Sequence, residues 1–378
     1  MNRLWQWAAP AATLGIELAA LLVATILFGL FLVVVGAEPL TVFGDMYTGA
    51  FGSAFAAQDS LTRAAPLMLT ALCTALPARL GMVVIGNEGA LLLGGLAAAA
   101  TAMLLPADLS SAVTLPSLLL SGALAGGLWI AFSGFLRERR GVNETISSLL
   151  LFYIGLAIFL YLVEGPLRDP SSLNKPSTFP VGDANMLGNV PGLTVHLGLL
   201  FGLIACVVAY VLMEHSTFGF AARVTGGNLR AARVMGLPVT RLVLITCALG
   251  GAAAGLAGAV EITAIHGAAN ATLYAGLGFA GILVSFVARH HALAIIPVAI
   301  LMGGIEASGG ILQRRHDLPD AAVDVFKGIL FLVILASETY VGKAVEAAQR
   351  AAAKHASDAA RAGAAPVAAA IEEKEAST

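Results

Sequence analysis

The run LVLITCALGGAAAGLAGAVEI, residues 242–262, decides the class of fold. Glu261 is its single charged residue, and glycine and alanine recur through its second half. A helix of about 20 apolar residues spans the roughly 30 Å hydrocarbon core of a bilayer. Small residues at three- and four-residue spacing let helix backbones approach closely in lipid. The run therefore predicts a transmembrane helix that packs tightly against other helices of the same chain.

The composition of the whole chain agrees with a membrane protein. Only 12% of the 378 residues are charged, 58% are hydrophobic, and the mean hydropathy is +0.87. A water-soluble domain carries about 25% charged residues. No basic stretch is interleaved with aromatic residues, so the sequence predicts no nucleic-acid binding. The three cysteines lie in apolar runs without a CxxC pair, which predicts a packing role and no metal site or cofactor.

Apolar runs of membrane length recur along the chain. Each is expected to be helical, because backbone groups in lipid must be hydrogen-bonded within their own segment. The sequence thus predicts an all-α integral membrane protein with about ten transmembrane helices and both termini in the cytoplasm. The predicted spans are residues 12–36, 61–80, 88–105, 113–136, 144–163, 195–213, 242–262, 271–288, 292–312 and 320–338.

Lysine and arginine in short loops set the predicted orientation, because cytoplasmic loops are enriched in these residues. Arg314 and Arg315 would lie outside, against the rule. The basic residues that the prediction places inside are Arg3, Arg79, the run RERR (137–140), the four arginines of segment 214–241, and Arg289.

The remaining segments complete the predicted organisation. Residues 1–342 form one polytopic domain, whose first apolar run is too long for a signal peptide and predicts an uncleaved anchor. Segments 36–60 and 165–194, rich in Pro, Gly and Ser, become loops outside the membrane. The Ala-rich tail, residues 343–378, is expected to be a flexible cytoplasmic extension.

Polar residues within spans are costly, so each raises a functional question. Asn87 and Glu88 begin the span 88–105, where they are suited either to capping that helix or to lining a substrate pathway. Asn143 and Glu144 begin another span beside the RERR run, which favours a cap and an ion pair over a pathway role.

A third polar pair, Glu261 and His266, lies near the outer end of span 242–262. No Lys or Arg is close to Glu261 in sequence, which favours a substrate-pathway role over a carboxylate packed against a neighbouring helix. No spacing in the chain indicates a Ser–His–Asp triad, an HExxH zinc site or a paired-carboxylate site. The sequence therefore predicts a protein without catalytic residues of its own.

The most polar segment between two spans reads RVTGGNLRAARVMGLPVTR, residues 223–241. A helix of about two turns is expected over residues 229–235. Its start signals are Gly226, Gly227 and Asn228, and its stop signals are Gly236 and Pro238.

The faces of this short helix leave two interpretations open. Arg230 and Arg233 share one face, which suits lipid phosphates at a membrane surface. Ala231 and Ala232 form a smooth face, which suits a groove on a partner protein. The chain has no GxxxxGK[ST] phosphate loop, so if ATP drives this protein, another subunit hydrolyses it.

Several motifs together resemble the permeases of the branched-chain amino-acid/ribose-type ABC importer superfamily. FGFAARVTGGNLRAARVMGLPV, residues 218–239, is similar to their cytoplasmic coupling loop. Three further segments resemble one branch of this superfamily, the nucleoside and simple-sugar permeases. They are GNEGALLLGG (86–95), GVNETISSLLLFYI (141–154) with GPLRDP (165–170), and EITAIHGAANATLYAGLGFAGILVSFVARHHALAIIPVAIL (261–301). The resemblance extends over residues 60–340. The chain departs from the pattern at Ala90, where the branch usually has Gln, and at Leu229, where Glu or Pro is common.

The resemblance implies half of an ATP-driven importer in the inner (plasma) membrane. Residues 228–236 would be the coupling helix, seated in a cleft of a separate ATPase subunit. A second permease, identical or homologous, would complete the pore. A binding lipoprotein or periplasmic protein would dock on the outer loops, of which 165–194 is the longest.

The resemblance also suggests the substrate. The Glu261–His266 region resembles the nucleoside-type members, so nucleosides are expected, purine nucleosides first. One alternative keeps the family and changes the substrate to a sugar such as ribose or galactose. An alternative of another class is a secondary transporter that couples to protons through Glu261 or Glu88.

Overall fold

The computed structural model describes residues 3–106, 108–319 and 321–337, with side chains from residue 19 onward. Within these ranges the chain is built from helices, and its only β contacts are isolated bridges. The all-α prediction is therefore confirmed for the part that is described. The predicted tail, residues 343–378, lies outside the described residues.

Twelve helices are named here in chain order, and a thirteenth, α13, comprises residues 321–337. They are α1 (Arg3–Val35), α2 (Pro39–Phe51), α3 (Ala54–Ala78), α4 (Asn87–Leu104), α5 (Ser111–Arg140), α6 (Glu144–Glu164), α7 (Gly198–His215), α8 (Thr217–Gly227), α9 (Leu229–Val234), α10 (Val239–Glu261), α11 (Leu277–Val287) and α12 (Ala292–His316). The contacts divide the chain into two units. The smaller is built from the flanking segments 3–30 and 328–337, and the larger, Phe31–Lys327, contains every candidate site residue.

The number of membrane-length helices differs from the prediction. Within the described ranges, seven helices are long and apolar enough to cross a membrane: α3, α4, α5, α6, α7, α10 with its continuation to His266, and α12. The segments Ala19–Val35 and Pro39–Phe51, bent by 115°, count as an eighth if they are one broken span. The prediction of ten spans is not confirmed.

Two predicted segments have a different structure. Residues 36–60, expected to be an outer loop, contain α2 and the beginning of α3. The predicted span 271–288 contains the 11-residue helix α11, which at 1.5 Å per residue is about 16 Å long and covers half of the core. The helix cannot begin earlier because Gly267 and Gly276 adopt positive φ angles of 68° and 78°, which break an α-helix.

Small residues bring α4, α5 and α10 into close contact, as the sequence predicts. A Cβ atom added to Gly94 of α4 would overlap the backbone of Gly255 in α10. Gly126 of α5 lies just as close to the carbonyl oxygen of Gly251 in α10. These contacts are within one chain, so the glycine-rich stretches serve intramolecular packing.

The basic residues collect at the ends of several helices, here called the arginine-rich end: Arg79 after α3, Arg137–Arg140 at the end of α5, and Arg223 in α8. Arg315, which the predicted orientation places outside, lies at the end of α12 and forms an ion pair with Asp45 of α2. His316 Nε2 lies 2.8 Å from the other oxygen of the same carboxylate. The charge of the exceptional arginine is thus compensated by a local partner.

Candidate translocation pathway and coupling element

A break between α10 and α11 gives the larger unit its most unusual feature. After α10 the chain forms a π-helical turn, Ile262–His266, and then runs without a long helix to Leu277. Thr70, near the middle of α3, donates from its hydroxyl to the Leu277 carbonyl oxygen at 3.2 Å. The short helix α11 therefore begins deep between membrane-length helices. Backbone without helical structure is tolerated at membrane depth only where protein buries it or where it lines a water-filled cavity.

The carboxylate of Glu88 holds the beginning of α11. Its Oε1 accepts a hydrogen bond from the Gly276 amide at 3.0 Å, and its Oε2 accepts one from the Gly278 amide. A carboxylate suits this place because the N-terminus of a helix carries unpaired N–H groups and a partial positive charge. Glu88 lies in the first turn of α4 and is completely buried. It therefore stabilises a helix about 190 residues away in sequence.

Asn87 is equally buried and also bonds to another helix. Its Nδ2 donates to the Thr70 carbonyl oxygen at 3.0 Å and to Thr74 Oγ1 at 2.9 Å. The N-cap position of α4 is occupied by Gly86, so the interpretation of Asn87 as the cap is wrong. Asn87 and Glu88 fasten α4 to α3 and α11 at the edge of the break.

Glu88→Ala is expected to destabilise the protein by about 2–6 kcal/mol, because two buried N–H groups would each lose a partner worth about 1–3 kcal/mol. Glu88→Gln keeps one acceptor oxygen and is expected to retain much of that stability. Thermal unfolding of the purified, detergent-solubilised protein measures both. Equal losses in the two variants would show that these hydrogen bonds do not hold α11.

The second polar pair serves local structure. Asn143 Oδ1 accepts from the amides of Thr145 and Ile146, at 2.9 and 3.1 Å, and so caps α6. Glu144 Oε1 lies 3.2 Å from Arg137 Nη1 at the end of α5. This geometry supports the cap and ion-pair interpretation of Asn143 and Glu144 over the pathway one.

Glu261 and His266 come together at the break itself. His266 Nε2 lies 3.7 Å from Glu261 Oε2, and the π-helical turn brings the two side chains to the same side. Glu261 is 4% exposed, and its Oε1 has no hydrogen-bond partner among the described residues. A buried, unpaired acceptor is costly, so this oxygen marks a place where water or a polar ligand would be stabilising.

The long segment 165–194 covers the chain that follows α10. The Thr178 and Val181 amides donate to the carbonyl oxygens of Ala269 and Gly267, at 2.9 and 2.8 Å. The Leu187 amide donates to the Thr263 carbonyl oxygen at 2.6 Å. The segment thus lies directly over the break, at the ends of the helices opposite the arginine-rich end.

Sequence reasoning missed an ion pair within two of the predicted spans. Lys327 Nζ lies 3.1 Å from Glu306 Oε1 and 2.9 Å from Asp324 Oδ1. Glu306 also lies within electrostatic range of both Glu88 and Glu261. The signal was available in the sequence, because a charged residue inside a span predicts a charged partner.

The short polar helix is α9, and its termini match most of the prediction. Asn228 Oδ1 accepts from the Ala231 amide at 3.0 Å, which makes Asn228 the N-cap. Gly236, with φ +75°, follows the end of the helix. Gly226 and Gly227 do not begin α9, however; they are the last two residues of α8. Position 226 requires glycine because its backbone lies against the Arg79 carbonyl oxygen, which leaves no room for a side chain.

The faces of α9 also differ from the prediction. Ala232 is completely buried against its own chain, so it cannot form a smooth face for a partner. Val234 is 89% exposed and Met235 60% exposed, and Arg230 and Arg233 are exposed beside them. The free surface of α9 is therefore an apolar patch flanked by arginines, which sequence periodicity over six residues could not indicate.

Charged groups fix α8 to the ends of the neighbouring transmembrane helices. Glu214, at the end of α7, forms ion pairs with Arg79 at 2.7 Å and with Arg223 of α8 at 3.0 Å. Burial and the nearby Arg79 charge lower the pKa of His290 to about 4, so its ring is neutral near pH 7. Its Nδ1 lies 2.9 Å from Ser285 Oγ of α11. A displacement of α9 that also moved α8 would therefore disturb the ion pairs that Glu214 forms with Arg223 and Arg79.

Membrane-length helices around the break between α10 and α11, with a short helix at the arginine-rich end, are features expected of a membrane transport subunit. The model of the family described as "Branched-chain amino acid transport system / permease component" matches residues 56–335. The chain belongs to this family.

Curated relatives align with this chain over most of its length and most of their own. The glucose ABC transporter permease of Haloferax volcanii is 31% identical, over 86% of this chain and 88% of its own. The guanosine ABC transporter permease of Bacillus subtilis is 29% identical, over 85% and 93%. The nucleoside ABC transporter permease of Lactococcus lactis is 23% identical, over 84% and 90%.

These matches establish the class to which the chain belongs. It is an ABC permease of the branched-chain amino-acid/ribose-type superfamily, in the nucleoside and simple-sugar branch, and a multi-pass protein of the plasma membrane. Permeases of this family are transport components that work with a separate ATPase and with a substrate-binding protein.

Proposed function

We propose that this permease forms half of the pathway through which nucleosides, purine nucleosides first, enter the cell. The observation that carries the proposal is the broken span, where Glu261 keeps a buried, unpaired oxygen next to His266. Carboxylate and imidazole groups suit the hydroxyls of a ribose and the polar edge of a base. The relatives for guanosine and for nucleosides support the same substrate class.

The alternative substrate is a simple sugar, and one observation favours it. The glucose permease of Haloferax volcanii aligns at the highest identity of the three relatives described. Glu261 and His266 also suit sugar hydroxyls, so the geometry of this pair does not choose between the two. Proton-coupled transport by the chain alone is disfavoured, because the family works with a separate ATPase.

The remaining parts of the proposal concern partners and orientation. The arginine-rich end faces the cytoplasm, in accordance with the positive-inside rule, and both termini lie there. Residues 228–236 dock into the ATPase subunit, and the segment 165–194 receives the binding protein. A second permease, identical or homologous, completes the pore.

Uptake by the whole importer tests the substrate. The permease, its ATPase, the second permease and the binding protein are co-expressed in a host that lacks nucleoside transport, and uptake of labelled guanosine, ribose, galactose and glucose is compared. Guanosine is expected to enter, to require a hydrolysis-competent ATPase, and to be insensitive to a protonophore. Tight sugar binding by the binding protein without nucleoside binding would overturn the substrate assignment. Uptake that survives ATP depletion but is lost with the protonophore would overturn the ABC mechanism.

A further inference from the structure

Four aromatic rings surround the beginning of α11. The ring centroid of Phe152, in α6, lies 4.7 Å from that of Tyr153, 6.0 Å from that of Tyr274 and 5.1 Å from that of Phe279. Phe152 is 1% exposed, whereas Tyr153, Tyr274 and Phe279 are 58%, 45% and 36% exposed. The cluster thus has a buried centre and three accessible rings, and two of these belong to the chain that forms the break or starts α11.

The cluster lies near the middle of the membrane-length helix α6. Tyr153 is nine residues from the first residue of α6 and eleven from its last, which corresponds to about 14 and 16 Å along the helix axis. The rings of Tyr274 and Phe279 lie near the same depth, because both contact Phe152. The Glu88 carboxylate accepts hydrogen bonds from the amides of Gly276 and Gly278, and these two glycines lie between Tyr274 and Phe279 in sequence.

Tyrosine at this depth needs an explanation. Tyrosines that anchor a membrane protein lie at the two interfaces, where the hydroxyl reaches water. Among the described residues, the hydroxyls of Tyr153 and Tyr274 have no hydrogen-bond partner. A phenol hydroxyl that faced hydrocarbon would remain unsatisfied, which is costly. Hydrocarbon is therefore an unfavourable surrounding for the exposed side of the cluster, and water or a polar ligand at the helix break would satisfy the two hydroxyls.

We infer that Tyr153, Tyr274 and Phe279 form a platform on which the flat base of a nucleoside stacks halfway through the membrane. The inference rests on the proposed function. Stacking of a base on an aromatic side chain is worth about 1–3 kcal/mol. Such modest binding suits a pathway, because a transported molecule must also leave. Three exposed aromatic rings with two hydroxyls suit a heteroaromatic ring, whereas a sugar requires hydrogen bonds to several hydroxyls.

Guanosine uptake by the assembled importer tests the platform. Tyr153→Ala and Tyr274→Ala are each expected to lower uptake at least fivefold, whereas Tyr153→Phe keeps the stacking face and most of the uptake. Tyr161→Ala is the matched control, because Tyr161 is 70% exposed on the same helix but lies near its end. Guanosine uptake by this variant is expected to equal that of the wild type. Wild-type uptake in both alanine variants would overturn the platform while leaving the proposed function intact. An importer that carries sugars and no nucleoside would overturn the proposed substrate and the platform together.

Thiol labelling gives a second measurement that does not depend on uptake. Tyr153→Cys is expected to react with a water-soluble maleimide and to be protected when guanosine-loaded binding protein and ATP are supplied. Val208→Cys, on an exposed face of α7 near the middle of that helix, is expected to remain unreactive. The native Cys73, Cys206 and Cys247 are buried and add little background. An unreactive Tyr153→Cys, or one that crosslinks to the second permease, would place the cluster against lipid or protein and overturn the inference.

Discussion

Val234→Glu is expected to release the permease from its ATPase subunit and to lower uptake at least tenfold. Val234 and Met235 are the exposed apolar side chains at the end of α9. On the proposed docking to the ATPase these apolar side chains become buried, and a carboxylate in their place would be costly to desolvate. Val234 is 89% exposed, so the substitution leaves the packing of the permease itself unchanged. Co-purification with a tagged ATPase and uptake by the assembled importer measure the effect.

The control for this experiment is Leu173→Glu. Leu173 is 80% exposed and lies in the segment 165–194, far from α9 in sequence. This variant is expected to keep the ATPase bound, whatever it does to docking of the binding protein. A Val234→Glu permease that still co-purifies with the ATPase and transports normally would show that α9 is not the coupling helix.

Ala232→Glu and Gly236→Trp would also change α9 and the turn that follows it. The structure makes both less informative. A glutamate at Ala232 would be buried within the permease, and a tryptophan at Gly236 would be strained at φ +75°. Either variant would lose function through misfolding, so the loss would not identify the contact with the ATPase.

The short helix shows which features can be predicted from a sequence. Its termini depend on local chemistry, the Asn228 cap and the turn at Gly236, and both are as expected. Its orientation depends on how α8 lies against Arg79 and Glu214, which belong to segments distant in sequence. The pattern over six residues therefore predicted the helix but not its exposed face.

The helix break shows the same limit at a larger scale. Residues 271–288 are apolar throughout, so their hydropathy is that of a membrane span. Hydropathy depends only on composition and therefore does not reveal the backbone turn at Gly276. Asn87 and Glu88 were correctly singled out as polar residues inside the membrane domain. Their partners could not be predicted, because Glu88 bonds to amides about 190 residues away, and such pairing depends on the tertiary fold.

Lys327→Met is expected to cause a large loss of stability in the larger unit, comparable with the loss expected for Glu88→Ala. Lys327 and Glu306 are 17% and 12% exposed, and their charged atoms are 3.1 Å apart. Removing one partner of a buried ion pair costs about 3–5 kcal/mol, because the remaining charge is left without compensation. Here the remaining carboxylate of Glu306 would also lie within range of Glu88 and Glu261. Thermal unfolding in detergent and the yield of folded protein in membranes measure the loss.

The double variant Glu306→Gln with Lys327→Met separates the loss of charge compensation from the loss of packing. It removes the uncompensated carboxylate, so it is expected to recover most of the stability that Lys327→Met loses. Asp324→Asn is the matched control for the second contact of Lys327. Asp324 is 73% exposed, and an ion pair with so exposed a partner is worth about 0–1 kcal/mol. A double variant no more stable than Lys327→Met would mean that the lysine acts through the packing of its hydrocarbon chain and not through its ion pair with Glu306.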